Sequence, residues 1–334
     1  MPVQVPRVRD RAQGRELPLE TYTRLSVPRQ EDRGLFRRVV LGLSERRYEE
    51  CAELVPEAFG LSPSTVSRRF IHASARQLHA LMERRLEGED FVALFLDGKT
   101  FAEDAMVIAL GITLSGQKVI LGFVQTATAN EAVCTAFLEQ LVARGLRWEQ
   151  GLLCVIDGAK GLRAAIRRVF GHAAEVQRCE WHKREKVVRH LPLSQQAAWR
   201  RKLGAAYEQP TYAEAKAALL AVQRELRRLN LSAVHSVAEG LEETLTLHRL
   251  GLFPQLGQSF KTTNCLESLL AQVGRRTDRV TRWVNSEQKQ RWVASALLDI
   301  EPRLRRVRGY RSLPQLHVAL AAHHQDREPS KDVA

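Results

Sequence analysis

Two apolar runs stop at the same dipeptide. Phe91-Val-Ala-Leu-Phe-Leu runs into Asp97-Gly98, and Leu152-Leu-Cys-Val-Ile runs into Asp157-Gly158. Runs this short and this continuous are strands covered on both faces, so the chain must supply helices for both sides of a sheet. A carboxylate at the end of such a strand is held by the sheet yet open at its edge. The glycine after it lets the chain turn sharply and lets a ligand approach the backbone. One Asp of this kind is as a rule a turn or helix-cap residue. Two at matching strand ends point to a site.

The segments around these runs alternate strand and helix. Ala105–Leu114 and Lys118–Thr126 predict a hairpin about Ser115-Gly116-Gln117. Asn130–Arg147 predicts a helix with Val133, Phe137, Leu138 and Leu141 on one face. Leu162–Phe170 predicts another helix, and Glu175–Arg178 a short strand. Three strands, helix, strand, helix, strand is the ribonuclease H-like order, so the predicted class is α/β with that core beginning over 88–182. Residues 183–255 hold no β-rich run. Ala and Leu recur at helical spacing through Gln195–Leu203, Ala213–Leu229 and Ala233–Leu247, which predicts an all-helical insertion. Residues 256–315 then complete the core, and 316–334 form a tail.

The N-terminal part reads differently. Residues 1–33 are rich in Pro, Arg and Glu without an apolar period, and predict a disordered basic arm. Residues 34–87 predict helices, at Leu35–Leu41 and Tyr48–Phe59 and again after Gly60. Ser62 is a good N-cap, and Pro63 suits the first helical position. That last helix opens with Ser64, Thr65, Ser67, Arg68 and Arg69, small and basic groups of the kind a recognition helix presents to a major groove. A helix-turn-helix-like DNA-binding region is the expectation; a plain helical hairpin is the other reading.

Charge supports a polyanionic partner. The formal net charge is +13 and the pI about 10. The basic residues concentrate over 275–311, where eleven Arg and Lys face four Asp and Glu, with Trp283, Trp292 and Tyr310 interleaved. Arg275, Arg276 and Arg279 there are candidate phosphate contacts. Lys99 and Lys160, close after the two aspartates, either touch phosphates or are surface lysines. Five cysteines without paired spacing argue for a reducing compartment. No signal-peptide core opens the chain, and no apolar stretch approaches the ~20 residues of a membrane span. The expected location is the cytoplasm, in association with the nucleoid.

A third carboxylate completes the candidate site. Glu267 lies in Thr262-Thr-Asn-Cys-Leu-Glu267-Ser268, which reads as a helix start. Asp97, Asp157 and Glu267 are hard oxygen ligands suited to two Mg²⁺ (or Mn²⁺) ions and to phosphodiester chemistry. Cys179-Glu-Trp-His182 is half of a zinc site. Cys265 is isolated, and His172 and His190 have no partner cysteine, so packing beside the site is the better reading. Trp181 and Trp199 either stack on an unpaired base or pack in the core.

These blocks carry a family resemblance. Cys179-Glu-Trp-His182-Lys183, continuing through Val187 to Leu191-Pro192, resembles the Cys-x-x-His motif of bacterial Mutator-type (MULE-like) insertion-sequence transposases. Thr263-Asn264-x-x-Glu267-Ser268 resembles the block holding that family's catalytic glutamate. Asp97-Gly98 and Asp157-Gly158-Ala-Lys-Gly161-Leu162 resemble its two aspartate blocks. The blocks occur in the family's order across roughly residues 85–315. The resemblance implies a DDE transposase with a ribonuclease H-like core and a helical insertion before the glutamate. It implies Asp97, Asp157 and Glu267 as catalytic metal ligands, Cys179 and His182 as the paired motif, and Asn264 beside the DNA. The implied reaction is metal-dependent cleavage at insertion-sequence ends, then transfer of the freed 3′-hydroxyl into target DNA. The implied partners are terminal inverted repeats, target DNA and a second copy of the chain or more on DNA, with no membrane. The chain departs from the pattern at Lys186, where the family has asparagine, and looks short for the family at its N-terminus. A ribonuclease H-like nuclease or resolvase, and a non-catalytic helix-turn-helix DNA-binding protein, are the alternatives.

Overall fold

The computed structural model describes residues 8–10, 15–17, 33–41, 63–101, 103–128, 130–278 and 280–325. The chain divides into two compact units, Met1–Ala73 and Ser74–Ala334. In the first, β1 (Val8–Asp10) pairs antiparallel with β2 (Arg15–Leu17), a pairing that the lack of apolar period did not announce. Helix α1 spans Arg33–Val40, and α2 spans Pro63–Met82, continuing into the second unit. Pro63 is the first helical residue of α2, as its fixed φ favours. The Phe36 and Phe70 rings stack with centroids 5.7 Å apart. The predicted helix over Tyr48–Phe59 and the Gly60–Ser62 turn lie outside the described residues.

The second unit is built on a five-stranded sheet in the order β5-β4-β3-β6-β7. Its strands are β3 (Phe91–Phe101), β4 (Asp104–Thr113), β5 (Lys118–Thr126), β6 (Leu152–Ile156) and β7 (Ala174–Arg178). Strands β3, β4 and β5 are antiparallel neighbours, while β3, β6 and β7 run parallel. Parallel neighbours need crossovers, and helices α3 (Glu131–Ala143) and α4 (Lys160–Phe170) provide them. Asn130 caps α3, its side chain accepting from the Val133 N–H at 3.0 Å.

Alternation along the two central strands separates two cores. Leu94, Leu96, Cys154 and Ile156 pack with Phe137 and Leu141 of α3 and Ile166 and Phe170 of α4. Ala93, Phe95, Leu153 and Val155 face the other way, onto C-terminal helices. Those helices are α11 (Phe253–Phe260), α12 (Asn264–Thr277), α13 (Ser286–Ile300) and α14 (Leu313–Gln325). Each buried large apolar side chain contributes about 1.5–3 kcal/mol, which is why these runs have one stable register.

Between β7 and α11 the chain is all helical, as its composition predicts. The helices are α5 (Glu180–Val188), α6 (Leu193–Tyr207), α7 (Tyr212–Leu226), α8 (Leu231–Ala238), α9 (Leu241–Thr244) and α10 (Thr246–Arg249). Val187, Leu203, Leu219, Leu226 and Val237 belong to a separate apolar cluster there. The helical stretch expected over Ala233–Leu247 is in fact three helices; the first break falls at Gly240, which takes φ +66 where a side chain would meet the Arg178 guanidinium.

Candidate active site

Parallel pairing places the two aspartates side by side. Leu96 pairs with Ile156 across β3 and β6, and each aspartate is the next residue. Adjacent strands lie about 4.8 Å apart. Both aspartates share the alternation of Ala93, Phe95, Leu153 and Val155, so both turn to the face covered by α12. Asp157 follows the last residue of β6, as the apolar run predicts. Asp97 instead lies inside β3, which continues to Phe101 by pairing with β4 alone. Asp97 stands where its parallel neighbour stops.

Asp97 is 6% exposed. Its carboxyl is pushed from the ordinary 3.8 up to about 6, first by burial and then by the Asp157 charge, with Glu267 adding to the rise. His182 and the Gly98 N–H act in the opposite direction. Asp157 Oδ1 accepts from the Ala159 N–H at 2.8 Å, a turn that leads into α4.

Glu267 arrives from the opposite wall, in the first turn of α12. Thr263, fully buried just before that helix, holds the approach together. Its hydroxyl lies 3.4 Å from Glu267 Oε1, 3.4 Å from His182 Nδ1 and 3.7 Å from Cys179 Sγ. Its N–H donates to Cys179 Sγ at 3.4 Å. His182 Nε2 lies 3.9 Å from Glu267 Oε1. The Cys179 N–H in turn donates to the Ile156 carbonyl at 2.7 Å, next to Asp157. The Cys-x-x-His segment thus connects the end of β6 to the start of α12.

Arg178, at the end of β7, is 3% exposed and lies against both Gly158 and Gly240. Its Nη1 donates to the Glu239 carbonyl at 3.2 Å, and Lys183 Nζ donates to the same oxygen. Burial, and then the Arg178 charge, push the Lys183 amine down to about 7. Lys186, the departure from the family pattern, donates to Glu239 Oε2 at 3.0 Å. This cluster ties the helical insertion to the strand ends beneath Asp157. Arg178 and Glu239 belong to the surroundings of the site without a motif to announce them; Thr263 lies in the motif block of Glu267, but its contacts with Cys179 and His182 could not be read there.

The other candidates are spread more widely. Ser64, Thr65, Ser67, Arg68 and Arg69 lie in the first two turns of α2, where Arg68 Nε donates to the Ser64 carbonyl at 3.3 Å. Lys160 and Asn264 are exposed first residues of α4 and α12, and Lys99 is exposed on β3. Arg275 is exposed, but Arg276 pairs with Asp299 at 2.9 Å. Arg291 is buried and bonds Glu287, and Lys289 bonds Asp104 at 2.6 Å. Part of the basic cluster over 275–311, Arg276, Lys289, Arg291 and Arg303, is therefore spent on internal pairs. Arg279 lies outside the described residues. Trp181 is 40% exposed and edge-on to the His182 ring, whereas Trp199 packs against the helical insertion's core.

Among the described residues no three His, Cys, Asp or Glu side chains are already spaced to hold one metal ion. Glu267 is turned toward Thr263 and His182. The donor set nonetheless suits hard divalent cations: two carboxylates on neighbouring strands and a third across from them, with the buried Asp97 destabilised as an anion. No described helix is long and apolar enough to cross a membrane.

That destabilisation is measurable. The folded carboxyl of Asp97 titrates above its unfolded value, so the folded state holds a proton that the unfolded state has lost between pH 4 and about 6. Stability falls as pH rises through that window and stays lower above it. Asp97→Asn removes the penalty. In metal-free protein at pH 7.5 it should stabilise by about 3 kcal/mol, with no gain below pH 4. Denaturant titrations at the two pH values check this, and equal stability at pH 7.5 would contradict it.

Comparison with known proteins follows the same blocks. Residues 1–305 match the family described as Transposase, Mutator family. The chain is 28% identical over 260 residues to the transposase for insertion sequence element IS905 of Lactococcus lactis, covering 75% of this chain and 64% of that protein. It is 31% identical over 269 residues to the transposase for ISRM5 of Rhizobium meliloti, covering 78% of this chain and 65% of that protein. It is 26% identical over 276 residues to the transposase for IS256 in transposon Tn4001 of Staphylococcus aureus, covering 78% and 67%. The chain thus spans a little under two thirds of the length of the first two relatives.

Proposed function

Because the chain belongs to the Mutator family of transposases, we propose that it is a DDE-type DNA transposase acting at the ends of an insertion sequence. The observation that carries this reading is the register that sets Asp97 beside Asp157 on neighbouring parallel strands, with Glu267 opposite on α12. The strand order, an antiparallel hairpin followed by parallel crossovers, supports a ribonuclease H-like core.

Asp97, Asp157 and Glu267 would hold two Mg²⁺ or Mn²⁺ ions. Bound there, the ions lower the pKa of an attacking water or 3′-hydroxyl and stabilise charge on the leaving oxygen. The chain's own work is positioning. The sheet fixes the two aspartates, and α12 brings the third carboxylate. Little covalent chemistry falls to the protein, so geometry and charge dominate. Exposed Lys99, Lys160, Asn264 and Arg275 supply contacts to the strands near the site, and the start of α2 supplies contacts to terminal repeats. Two ends must be joined together, so the working form is at least a dimer on DNA.

Thr263 acts as a positioning residue for Glu267 in this reading. Its hydroxyl has one proton and three neighbours, so it can donate to the carboxylate and orient it beside His182, where it would help hold a metal. Thr263→Val keeps the shape and removes the hydroxyl. Cleavage should fall about tenfold or more, the worth of a hydrogen bond to a charged group, and Thr263→Ser should restore it. An equal loss in the serine variant would make the role one of packing.

A strand-transfer assay tests the function. Labelled DNA from the flanks of the gene is incubated with the protein and Mg²⁺ or Mn²⁺. Joined products establish the proposal. Cleavage without joining makes the protein a nuclease or resolvase, and binding without any metal-dependent product leaves only a DNA-binding role.

A further inference from the structure

A cleft leads away from the three carboxylates along the junction of sheet and helix. Its floor is the face of β3 and β4 that carries Asp97. Across the strands Asp97 pairs with Ile108 and Lys99 with Met106, and Ile108, Met106, Lys99 and Phe101 all line the cleft. Its roof is α12, where Leu270, Gly274 and Thr277 follow Glu267 at helical spacing and so continue that residue's face. Trp283 stands at the outer end, edge-on to Phe101 with ring centroids 5.1 Å apart at 61°. Lys99 and Asp278 are exposed at its rim.

The chemistry of the walls narrows what fits. The volume is about 250 Å³, below the ~300–1,000 Å³ of pockets for drug-sized ligands. It suits one planar ring system. Met106, Ile108, Leu270 and Val273 make floor and roof mostly apolar, so a phosphate gains little inside, whereas an aromatic face does. Trp283 and Phe101 offer ring surfaces for a flat heterocycle, a contact available to every base. Lys99 at the rim places a positive charge where the phosphate attached to such a ring would emerge. The floor is continuous with Asp97 and the roof with Glu267, so the occupant would be attached to whatever those carboxylates handle.

We propose that this cleft receives one unpaired base of the DNA strand whose phosphate is held at Asp97, Asp157 and Glu267. The inference rests on the transposase reading and adds a step to it. Drawing one base out of the stack opens the duplex beside the scissile phosphate and lets that phosphate turn toward the carboxylates. The site therefore reads distortion of the DNA end rather than its sequence.

Two variants separate the cleft from its walls. Gly274→Leu fills the space from the roof, since a Cβ added at Gly274 meets only Asp278 Oδ1, at 3.7 Å. Trp283→Ala removes a ring. Element-end duplexes carrying 2-aminopurine at successive positions around the cleavage point are bound in Ca²⁺, and cleavage of the same duplexes is followed in Mg²⁺. The expected result is a change in emission at one position only, lost in both variants. Both variants should also cut paired DNA about tenfold more slowly, the worth of roughly one base–aromatic stack. An abasic residue at the responsive position should remove that difference between the variants and the parent. Normal cleavage with no emission change, or a change that persists in Gly274→Leu, overturns the cleft and leaves the transposase reading standing. A uniform loss on every substrate, the abasic one included, assigns Trp283 and Gly274 a structural role and also overturns it. Neither cleavage nor emission change by the parent protein overturns both.

Discussion

The Asp157→Asn protein should bind element-end DNA as tightly as the parent and cut it at least about a thousandfold more slowly. The size follows from the several kcal/mol of charge stabilisation that a metal site supplies, at ~1.36 kcal/mol per factor of ten in rate. The amide keeps the shape of the side chain, and its oxygen can still accept from the Ala159 N–H that the carboxylate now engages at 2.8 Å. The turn into α4 should therefore survive, and with it the fold. What is lost is one negative charge beside Asp97. Filter binding and strand cleavage, measured on one labelled duplex, check both halves. Loss of binding together with cleavage would mean that Asp157 is needed for folding. Retention of cleavage would remove it from the active site and sink the three-carboxylate reading.

Gly158→Ala should act by a different route, through stability. Gly158 has φ +98, a conformation that costs an L-residue about 1–3 kcal/mol. An added Cβ would also overlap Nε of the buried Arg178, whose place is set from the other side by Gly240. Forcing an atom into a filled interior costs a further 1–3 kcal/mol or so. The expected drop in Tm is roughly 5–15 °C. Gly88, where an added Cβ meets nothing within 4 Å, is the control and should tolerate alanine. Metal-dependent cleavage by Gly158→Ala should fall even well below its Tm, because Arg178 cannot move without disturbing Glu239 or the backbone at Gly158 beside Asp157. An unchanged Tm would show that Arg178 is free to swing away and that the contact is loose.

Local pattern made much of the sheet legible. Leu152–Ile156 and Lys118–Thr126 are strands with the bounds that their composition predicts. Helix ends were harder. α3 stops at Ala143 rather than Arg147, and the stretch over Ala233–Leu247 breaks at Gly240, which lies against Arg178, a residue far away in the chain. The basic run over 275–311 read as one phosphate-binding surface, yet Arg276, Lys289 and Arg291 find acidic partners. Charge density is visible in a sequence; which charges neutralise each other is not.

The residues of Asp97, Asp157 and Glu267 could be picked out one by one, since an acidic group after an apolar run, or at a helix start, is a local feature. The α/β class and the helical block before Glu267 were likewise determined by periodicity, which is a property of neighbours in the chain. Only the tertiary structure decided that Leu96 and Ile156 are register partners, that Asp97 lies inside a strand, and that Thr263 stands among Cys179, His182 and Glu267. Those facts depend on strand register and helix docking between segments up to 170 residues apart in sequence (97 to 267). Register is chosen by the burial of whole faces at once, and no single segment carries that information.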